Sequence, residues 1–233
     1  MKSIALLSSG LDSVVATTRA NNEGRVELAL TFDYGQRAAA QEIFYASRVC
    51  EILGIKHRVI KISWLSEISK SALTDLNSEI PEPEDRELDI KEITEETAKQ
   101  VWVPNRNGVF INIAASFAEA IEADAIIVGF DAEEAVTFPD NSRSYVEAVN
   151  TALSFSTMNK VEVTAPVINL NKSEIVALGL EINAPLEWSW SCYYGSENPC
   201  MKCESCRRRE RAFRSIGFKD PLKKRLGMSI TTH

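Results

Sequence analysis

Four of the five cysteines lie close together near the C-terminal end of the chain, at Cys192, Cys200, Cys203 and Cys206. Two residues lie between each neighbouring pair of the last three, which is typical of thiolate ligands around tetrahedral Zn²⁺. Because four thiolates complete that shell, the pattern predicts a structural zinc site, with an iron–sulfur cluster as the chemical alternative. The fifth cysteine, Cys50, falls in a helical pattern and is expected to be a buried apolar residue.

A second group of residues that suits ligand chemistry is the small polar run Ser8-Ser9-Gly10-Leu11-Asp12-Ser13. It follows a strand pattern and precedes a helical one, so its backbone N–H groups and the helix N-terminus are expected to bind phosphate. Asp12 is expected to orient the loop or to help hold a Mg²⁺ ion that bridges the phosphates. The run matches neither the Walker A motif nor the dinucleotide fingerprint. The alternative is a polar turn in which Ser or Asp caps the helix.

The elements that must position these residues alternate along the chain. Short apolar strand patterns occupy residues 3–7, 26–32, 57–62, 125–128 and 161–163. Helical patterns occupy residues 13–24, 38–53, 107–121, 145–157 and 173–178. This alternation predicts an α/β fold with a Rossmann-like, five-stranded parallel sheet and helices on both faces.

Two regions depart from this alternation. Residues 63–99 are expected to form a long loop or lid, because their middle is acidic and carries two prolines; a solvated surface loop is the alternative. The composition changes again near residue 183, so we expect a phosphate-binding α/β domain over residues 1–182 and a small four-cysteine zinc-binding appendage with a tail over residues 183–233. The arginines and lysines of residues 207–225 form either a patch for a nucleotide or an acidic partner, or a solvated helix face.

The composition excludes several classes of protein. The 233 residues carry a net charge of −7, which argues against a broad basic surface for nucleic acid. Apolar residues make up 45% and charged residues 25%, as in ordinary globular proteins. Neither a membrane-spanning apolar stretch nor a signal-peptide core is found, so the sequence predicts a cytoplasmic protein without membrane contact.

The polar run resembles the Ser-Gly-Gly-x-Asp-Ser signature of the PP-loop ATP pyrophosphatases, which cleave ATP between its α and β phosphates. Ser9 stands where that signature has its first glycine. If this position requires a positive φ, the serine costs about 1 kcal/mol of strain. Five further stretches extend the resemblance, namely 32–37, 103–107, 138–140, 170–174 and 190–193.

Together these motifs are similar to those of the 7-cyano-7-deazaguanine synthases, and the resemblance spans Leu6 to Asp220. It implies an adenine nucleotide alpha hydrolase-like fold, a structural zinc ion, and a homodimer. It also implies an ATP-dependent ligase that uses Mg²⁺ and converts 7-carboxy-7-deazaguanine and ammonia to the 7-cyano base, a precursor of queuosine and archaeosine. The expected partners are these small molecules, with no direct contact to nucleic acid. We expect Trp188 and Trp190 to be exposed, where they would suit a subunit interface.

The resemblance also implies roles for individual residues. The loop of residues 8–13 would bind ATP, and the four clustered cysteines would bind zinc. Arg106, Asn107 and Asp140 would line the substrate pocket, and Asp12 and Lys172 are candidates for catalysis. The chain has Phe138-Pro139-Asp140-Asn141-Ser142 where many relatives have Tyr-Pro-Asp-Cys-Arg, so this segment bears on substrate identity.

Two other functions compete with this interpretation. A PP-loop enzyme that thiolates or otherwise modifies tRNA directly would share the loop, but it would need a basic surface or an additional domain for the RNA. A non-enzymatic, zinc-bearing binding module would share the cysteines and would tolerate a degenerate loop. Release of pyrophosphate with a carboxylate substrate distinguishes the ligase from the binding module, and a tRNA-binding assay distinguishes it from the tRNA enzyme.

Overall fold

The computed structural model describes residues 1–228 and contains a five-stranded, fully parallel sheet in the order β3-β2-β1-β4-β5. The strands are β1 (Lys2–Leu6), β2 (Arg25–Asp33), β3 (Lys56–Lys61), β4 (Ala125–Ile127) and β5 (Glu162–Thr164). The predicted α/β class and the five predicted strands are confirmed. The order reverses between β1 and β4, and such a switch point opens a crevice at the carboxyl ends of the strands.

Nine α-helices connect and cover the strands within the described residues. They are α1 (Leu11–Glu23), α2 (Ala39–Leu53), α3 (Trp64–Ile68), α4 (Lys91–Val101), α5 (Arg106–Ala120), α6 (Arg143–Ser156), α7 (Lys172–Glu181), α8 (Glu204–Ser215) and α9 (Pro221–Arg225). Short 3₁₀ turns cover Asp85–Glu87, Glu134–Val136, Pro139–Asn141 and Leu186–Trp188. None of the helices in this part of the chain is both long enough and apolar enough to cross a bilayer.

Helices cover both faces of the sheet, as expected for parallel strands that are buried on both sides. Side chains of α1, α2, α7 and α8 form one core with Ala5 of β1. Side chains of α5 and α6 form the other core with Ile4, the next residue of the same strand. The alternation of Ile4 and Ala5 between the two cores follows from the two-residue period of a strand.

The segment predicted as a loop over residues 63–99 contains α3 and most of α4. Helix α4 was not predicted, because its buried face is formed largely by Thr94, Thr97 and Ala98, which do not form a recognisable apolar stripe in the sequence. The remainder of the segment is anchored by Ile80 and Leu88, both buried. The segment is therefore attached to the body of the protein along much of its length.

The cysteine region packs into the same cores as the α/β domain. Leu186, Ala212 and Phe213 join the core formed by α1 and α7, across the boundary predicted at residue 183. Trp190 was expected to be exposed, but it is 2% exposed and packs beside the cysteines; Trp188 is half-buried. The expectation for Trp190 is therefore wrong, because this indole donates to the carbonyl of a neighbouring cysteine inside its own chain. The last five residues of the predicted tail, 229–233, lie outside the described residues.

Candidate active site

A cavity of about 250 Å³ opens at the carboxyl ends of β1, β2 and β4, where the strand order reverses. The loop of residues 8–13 forms one wall, and residues that follow β2 and β4 form the others. Ser191 and Tyr193, which flank Cys192, close a further side. The cavity thus lies where parallel α/β sheets bind ligands.

The loop after β1 is held in a strained conformation. Ser9 has a φ of 63°, in the left-handed region, and its Oγ is buried without a hydrogen-bond partner among the described residues. The Ser13 Oγ donates to the carbonyl of Gly10 at 2.9 Å and lies 3.2 Å from the Ser8 Oγ. Helix α1 begins at Leu11 without a side-chain cap. Its first turn therefore leaves backbone N–H groups at the cavity wall, where an anion can accept from them.

Gly129, which follows β4, allows the close approach of the two loops. A Cβ atom at this position would lie 2.6 Å from the backbone nitrogen of Ser13. Only glycine fits against the first turn of α1 at that distance. Gly129 was not predicted as a site residue, although it follows a buried strand, where ligand-site residues are common in this class of fold.

Four charged side chains meet beside the loop. The Lys172 ammonium donates to Asp12 Oδ2 at 2.6 Å, to Asp131 Oδ2 at 2.9 Å and to Glu134 Oε1 at 2.7 Å. The two predicted catalytic candidates, Asp12 and Lys172, are thus brought into direct contact. Asp131 and Glu134 were missed, although polar residues directly after a buried strand are typical of ligand sites in this class of fold. We refer to these four residues as the carboxylate–lysine cluster.

Burial and charge act against each other in the cluster. Burial raises the pKa of Asp131 to about 7, and the neighbouring carboxylates of Glu134 and Asp12 add to that effect. Burial also raises the pKa of Asp12, although Lys172 opposes it. Burial alone would lower the pKa of Lys172, but the three carboxylates keep it well above its usual range. The lysine is therefore cationic, and it is surrounded by more negative than positive charge.

The cluster has the donors that a divalent cation requires. One carboxylate oxygen each from Asp12, Asp131 and Glu134 lies within 4.8 Å of the others. The second oxygen of Asp12, Oδ1, is buried without a partner among the described residues. Oxygen ligands suit Mg²⁺, which in phosphate sites is held by one or two carboxylates together with the phosphates.

The opposite side of the cavity is aromatic and carries Arg106, the first residue of α5. Its guanidinium lies 6.0 Å from the centre of the Tyr34 ring, and its Nη1 donates to the Tyr34 hydroxyl at 3.4 Å. The Phe32 and Phe110 rings stack at 4.1 Å with an interplanar angle of 4°. Arg106 and Asn107, both predicted to line a pocket, lie in the cavity wall.

Asp140 lies one layer further back in this wall. The cavity surface here is formed by its neighbours Phe138 and Asn141. The backbone carbonyl of Asp140 accepts from the Asn107 side chain at 3.5 Å, and its carboxylate accepts from the Asn141 side chain at 3.3 Å. Burial raises the pKa of Asp140, and the nearby positive charge of Arg106 opposes that rise. The structure thus connects Asp140 to the cavity through Asn107 and Asn141.

The four sulfur atoms of Cys192, Cys200, Cys203 and Cys206 all lie within 4.8 Å of one another. A tetrahedral zinc ion with Zn–S bonds of about 2.3 Å requires sulfur separations of roughly 3.8 Å, and Cys200 and Cys206 are 3.9 Å apart. The backbone N–H groups of Cys200 and Cys203 donate to neighbouring cysteine sulfurs at 3.3 Å each, which stabilises thiolates. The donor set therefore fits one tetrahedral metal ion.

The basic segment after the cysteines is largely paired within the chain. On α8, Arg214 and Arg207 contact Asp85 at 2.9 and 3.4 Å, and Arg211 contacts Asp89 at 2.8 Å. These acidic residues belong to the segment of residues 79–90, which we call the acidic strap. Arg207, Arg211 and Arg214 of α8 are thus paired with carboxylates of the strap, although Arg214 remains 55% exposed.

The chain is similar in sequence to known proteins along nearly its whole length. The chain matches the family described as "Queuosine biosynthesis protein QueC" over residues 2–217. It is 55% identical over 231 residues to the 7-cyano-7-deazaguanine synthase of Methanosarcina mazei, covering 98% of this chain and 100% of that protein. The 7-cyano-7-deazaguanine synthase of Desulforamulus reducens is 49% identical over 221 residues, covering 95% and 97%.

Among solved structures, an NMN synthetase from Francisella tularensis is similar to this chain with a TM-score of 0.45 and 17% identity. The similarity covers 99% of this chain and 79% of the synthetase.

Proposed function

Because this chain belongs to the QueC family of queuosine biosynthesis proteins, we propose that it is the ATP-dependent ligase that makes 7-cyano-7-deazaguanine from 7-carboxy-7-deazaguanine and ammonia. The observation that carries the proposal is the single cavity that combines the phosphate loop, Asp12 and Arg106 at the switch point of the sheet. The phosphate chain of ATP needs N–H donors, which the loop of residues 8–13 offers. A carboxylated ring needs a cation, which Arg106 offers.

The chemistry explains why ATP is required. A carboxylate is a poor electrophile, because oxide is a bad leaving group; adenylation converts it into a mixed anhydride with release of pyrophosphate. Ammonia then displaces AMP and forms the amide. A second adenylation, on the amide oxygen, allows elimination of AMP to the nitrile. Both carboxylate oxygens leave on AMP, so two molecules of ATP are consumed for each nitrile.

The protein's contribution is positioning and charge stabilisation. We assign the loop of residues 8–13 to the ATP phosphates, with N–H groups of the α1 N-terminus as donors. Lys172 offsets negative charge that develops on the phosphate side. Asp12, Asp131 and Glu134 would hold Mg²⁺, which supplies charge neutralisation on the phosphates when bound. Arg106 pairs with a carboxylate or phosphate of the substrates, and Asn107 and Asp140 support that wall.

We assign the four clustered cysteines to one Zn²⁺ ion with a structural role. The closed set of four thiolates leaves no open coordination position for a substrate. Cys192 lies between Ser191 and Tyr193, two residues of the cavity wall, and Cys203 caps the start of α8. The metal would therefore hold a wall of the active site in place.

Small molecules suit this site better than tRNA. The net charge is −7, and Arg211 and Arg214 of α8 are paired with carboxylates of the acidic strap, so these arginines are less free to bind a phosphate backbone. A homodimer, a cytoplasmic location and a contribution to archaeosine as well as queuosine are proposed from the family resemblance alone.

The proposal is tested by one reaction. Purified protein is mixed with ATP, Mg²⁺, ammonium and 7-carboxy-7-deazaguanine, and the products are followed by mass spectrometry and a pyrophosphate assay. We expect the nitrile, AMP and pyrophosphate. Pyrophosphate without nitrile would mean that the base or the nitrogen donor is wrong. If zinc-loaded protein cleaved no ATP, the ligase would be excluded and the binding module favoured.

A further inference from the structure

Glu42 is a carboxylate of the cavity wall that the proposed chemistry does not use. It lies in the first turn of α2, which follows β2, and it lines the cavity together with Gln36. It belongs to neither the phosphate loop nor the carboxylate–lysine cluster. It lies close enough to Tyr34 and Arg106 for their charges to affect one another's pKa values.

Gln36 holds Glu42 in one orientation. The Gln36 amide nitrogen donates to Glu42 Oε2 at 2.7 Å and to the carbonyl of Phe32 at 2.9 Å. Its amide oxygen accepts from the backbone N–H of Tyr34 at 2.9 Å. Both ends of the Gln36 amide are thus occupied, so its nitrogen is fixed as the donor and Glu42 as the acceptor.

The second oxygen of Glu42, Oε1, has no hydrogen-bond partner within residues 1–228. This oxygen is not sealed from the cavity, so a donor that arrives with a ligand can replace water as its partner. Burial raises the pKa of Glu42 to about 7, against the lowering effects of the Gln36 hydrogen bond and the Arg106 charge. A hydrogen bond donated by a ligand would lower this pKa and favour the ionised carboxylate.

The wall next to Glu42 suits a planar ring. Phe32 and Phe110 stack in parallel, and Tyr34 packs at 5.6 Å from Phe110. Aromatic faces of this kind stack on nucleobases, and the polar edge of the base then determines specificity. Glu42 is a carboxylate beside this aromatic wall that can accept from such an edge.

We propose that Glu42 is a specificity-determining residue that accepts a hydrogen bond from the amino-bearing edge of a purine ring bound in the cavity. The inference rests on the proposed function for the identity of that purine. Two purine-type rings enter the reaction: the adenine of ATP carries a 6-amino group, and the 7-deazaguanine carries a 2-amino group beside an N–H. Both offer the same donor chemistry, so the experiment must separate them.

The effect of Glu42→Gln can be predicted because Gln36 remains a hydrogen-bond donor to the side chain at position 42. The new amide keeps the volume of the side chain, and its oxygen takes the place of Oε2 as the acceptor from Gln36. Its NH₂ group then turns into the cavity and meets the amino group of the purine, so that donor faces donor. A hydrogen bond to a charged acceptor contributes about 1.5–3 kcal/mol, which corresponds to a loss of roughly 10- to 150-fold in affinity.

The experiment is a set of calorimetric titrations with the wild type and with Glu42→Gln, both loaded with zinc and Mg²⁺. The ligands are a non-hydrolysable ATP analogue, its inosine counterpart without the 6-amino group, 7-carboxy-7-deazaguanine, and its 2-desamino counterpart. For one of the two bases, we expect the wild type to bind the amino form at least tenfold more tightly. Glu42→Gln should lose that preference to within about threefold. The base that shows the loss is the one that Glu42 contacts.

A matched control is Glu51→Gln on the same helix, where the side chain is 64% exposed and pairs with Arg48. It should bind all four ligands as the wild type does. Thermal melts of both variants show whether each is folded, and Glu42→Asp serves as a second variant that keeps the charge but shortens its reach.

Several outcomes would overturn the inference. In Glu42→Gln, these are unchanged affinities, an equal loss of affinity for ligands with and without the amino group, or a fall in kcat with no change in affinity. In the wild type, the contradicting outcome is that neither purine-type ligand binds. If the wild type makes no nitrile but still shows the amino preference that depends on Glu42, the proposed function fails and the inference stands. If it makes nitrile without that preference, only the inference fails.

Discussion

At the scale of single residues, the backbone of Ser9 in the loop of residues 8–13 is strained. This serine adopts a φ of 63° and leaves its hydroxyl buried and unpaired within the described residues. Left-handed backbone costs an L-residue about 1–2 kcal/mol, and an unsatisfied buried hydroxyl adds to that cost. The same residue anchors the cysteine region, because its carbonyl accepts from the backbone N–H of Trp190 at 2.8 Å.

We therefore expect Ser9→Gly to raise the free energy of unfolding by about 1 kcal/mol, after allowance for the greater entropy of glycine in the unfolded chain. Urea denaturation measures this change. Ser63→Gly is the control, because Ser63 has a φ of −54° and offers no strain to relieve. An unfolding free energy for Ser9→Gly at or below that of the wild type would contradict the assignment of strain.

A second residue-scale feature is the buried ion pair of Arg209 and Asp220. The Arg209 guanidinium contacts both carboxylate oxygens, at 2.6 and 2.8 Å, and the two side chains are 6% and 5% exposed. Burial alone would raise the pKa of Asp220, but the charge and hydrogen bonds of Arg209 outweigh it and lower that pKa below its usual value.

Asp220→Asn should lower the free energy of unfolding by about 3 kcal/mol at neutral pH, because it leaves the arginine buried without a counter-charge. The folded-state pKa is depressed, so the pair stabilises the fold above the unfolded pKa of about 3.9, and this stabilisation is lost as pH falls through the folded value. Urea titrations at pH 7 and near pH 3 should show the difference between the variants shrinking in acid. Asp89→Asn, whose side chain is 76% exposed, should cost less than about 1 kcal/mol. Equal effects of the two substitutions would contradict this account.

At the scale of elements, the acidic strap is attached to α8 and to the cysteine region. Leu88 and Ile80 anchor the strap in the core, and Asp85 and Asp89 pair with arginines along α8. The hydroxyl of Tyr194, close to the cysteines, donates to Glu82 at 2.9 Å. The strap therefore packs against the part of the chain that carries the four clustered cysteines, and its contacts at the surface are mainly ionic.

Asp85→Lys should loosen the strap, because it replaces two ion pairs by repulsion from Arg207 and Arg214. Exposed pairs contribute about 0.2–1 kcal/mol each, so amide hydrogen exchange over residues 79–90 should become about tenfold faster. Glu95→Lys is the control, since Glu95 is 51% exposed and pairs with Lys91 of the same helix, away from the strap's ion pairs. Unchanged exchange in Asp85→Lys would show that the apolar anchors alone hold the strap.

The strands and the helices with clear apolar periodicity could be predicted from the sequence, and so could the clustering of the cysteines. Helix α4 could not, because threonines form part of its buried face. The pairing of α8 with the strap was also beyond prediction, since it joins residues about 120 positions apart in the chain. Asp131 and Glu42 were missed because each is recognisable only once the strands bring it to the cavity.

At the scale of the whole molecule, residues of the cysteine region and residues around the parallel sheet line the same cavity, the candidate active site. Trp190, Cys192, Cys203 and Cys206 form an apolar cluster with Ile80 of the strap. The residues on either side of Cys192 line the cavity beside Asp12. We therefore expect loss of the proposed zinc ion to weaken nucleotide binding in the cavity.

Cys192→Ser should reduce bound zinc from about one per chain to near zero and weaken binding of a non-hydrolysable ATP analogue at least tenfold. The physical reason is that Ser191 and Tyr193 lose the anchor between them. Metal analysis and calorimetry on the same samples give both quantities. Cys50→Ser is the control, because Cys50 is buried within α2 and away from the cluster. If the metal-free protein bound the ATP analogue as tightly as the wild type does, the cysteine site would not support the nucleotide site, and this prediction would be wrong.

The proposed adenylation transfers each carboxylate oxygen of the substrate to AMP, and this transfer can be followed with ¹⁸O. 7-Carboxy-7-deazaguanine with both carboxylate oxygens labelled with ¹⁸O is turned over with ATP, Mg²⁺ and ammonium, and the AMP formed is analysed by mass spectrometry. We predict two AMP for each nitrile, with one ¹⁸O atom in each. Label in inorganic phosphate or in water, with unlabelled AMP, would contradict the account.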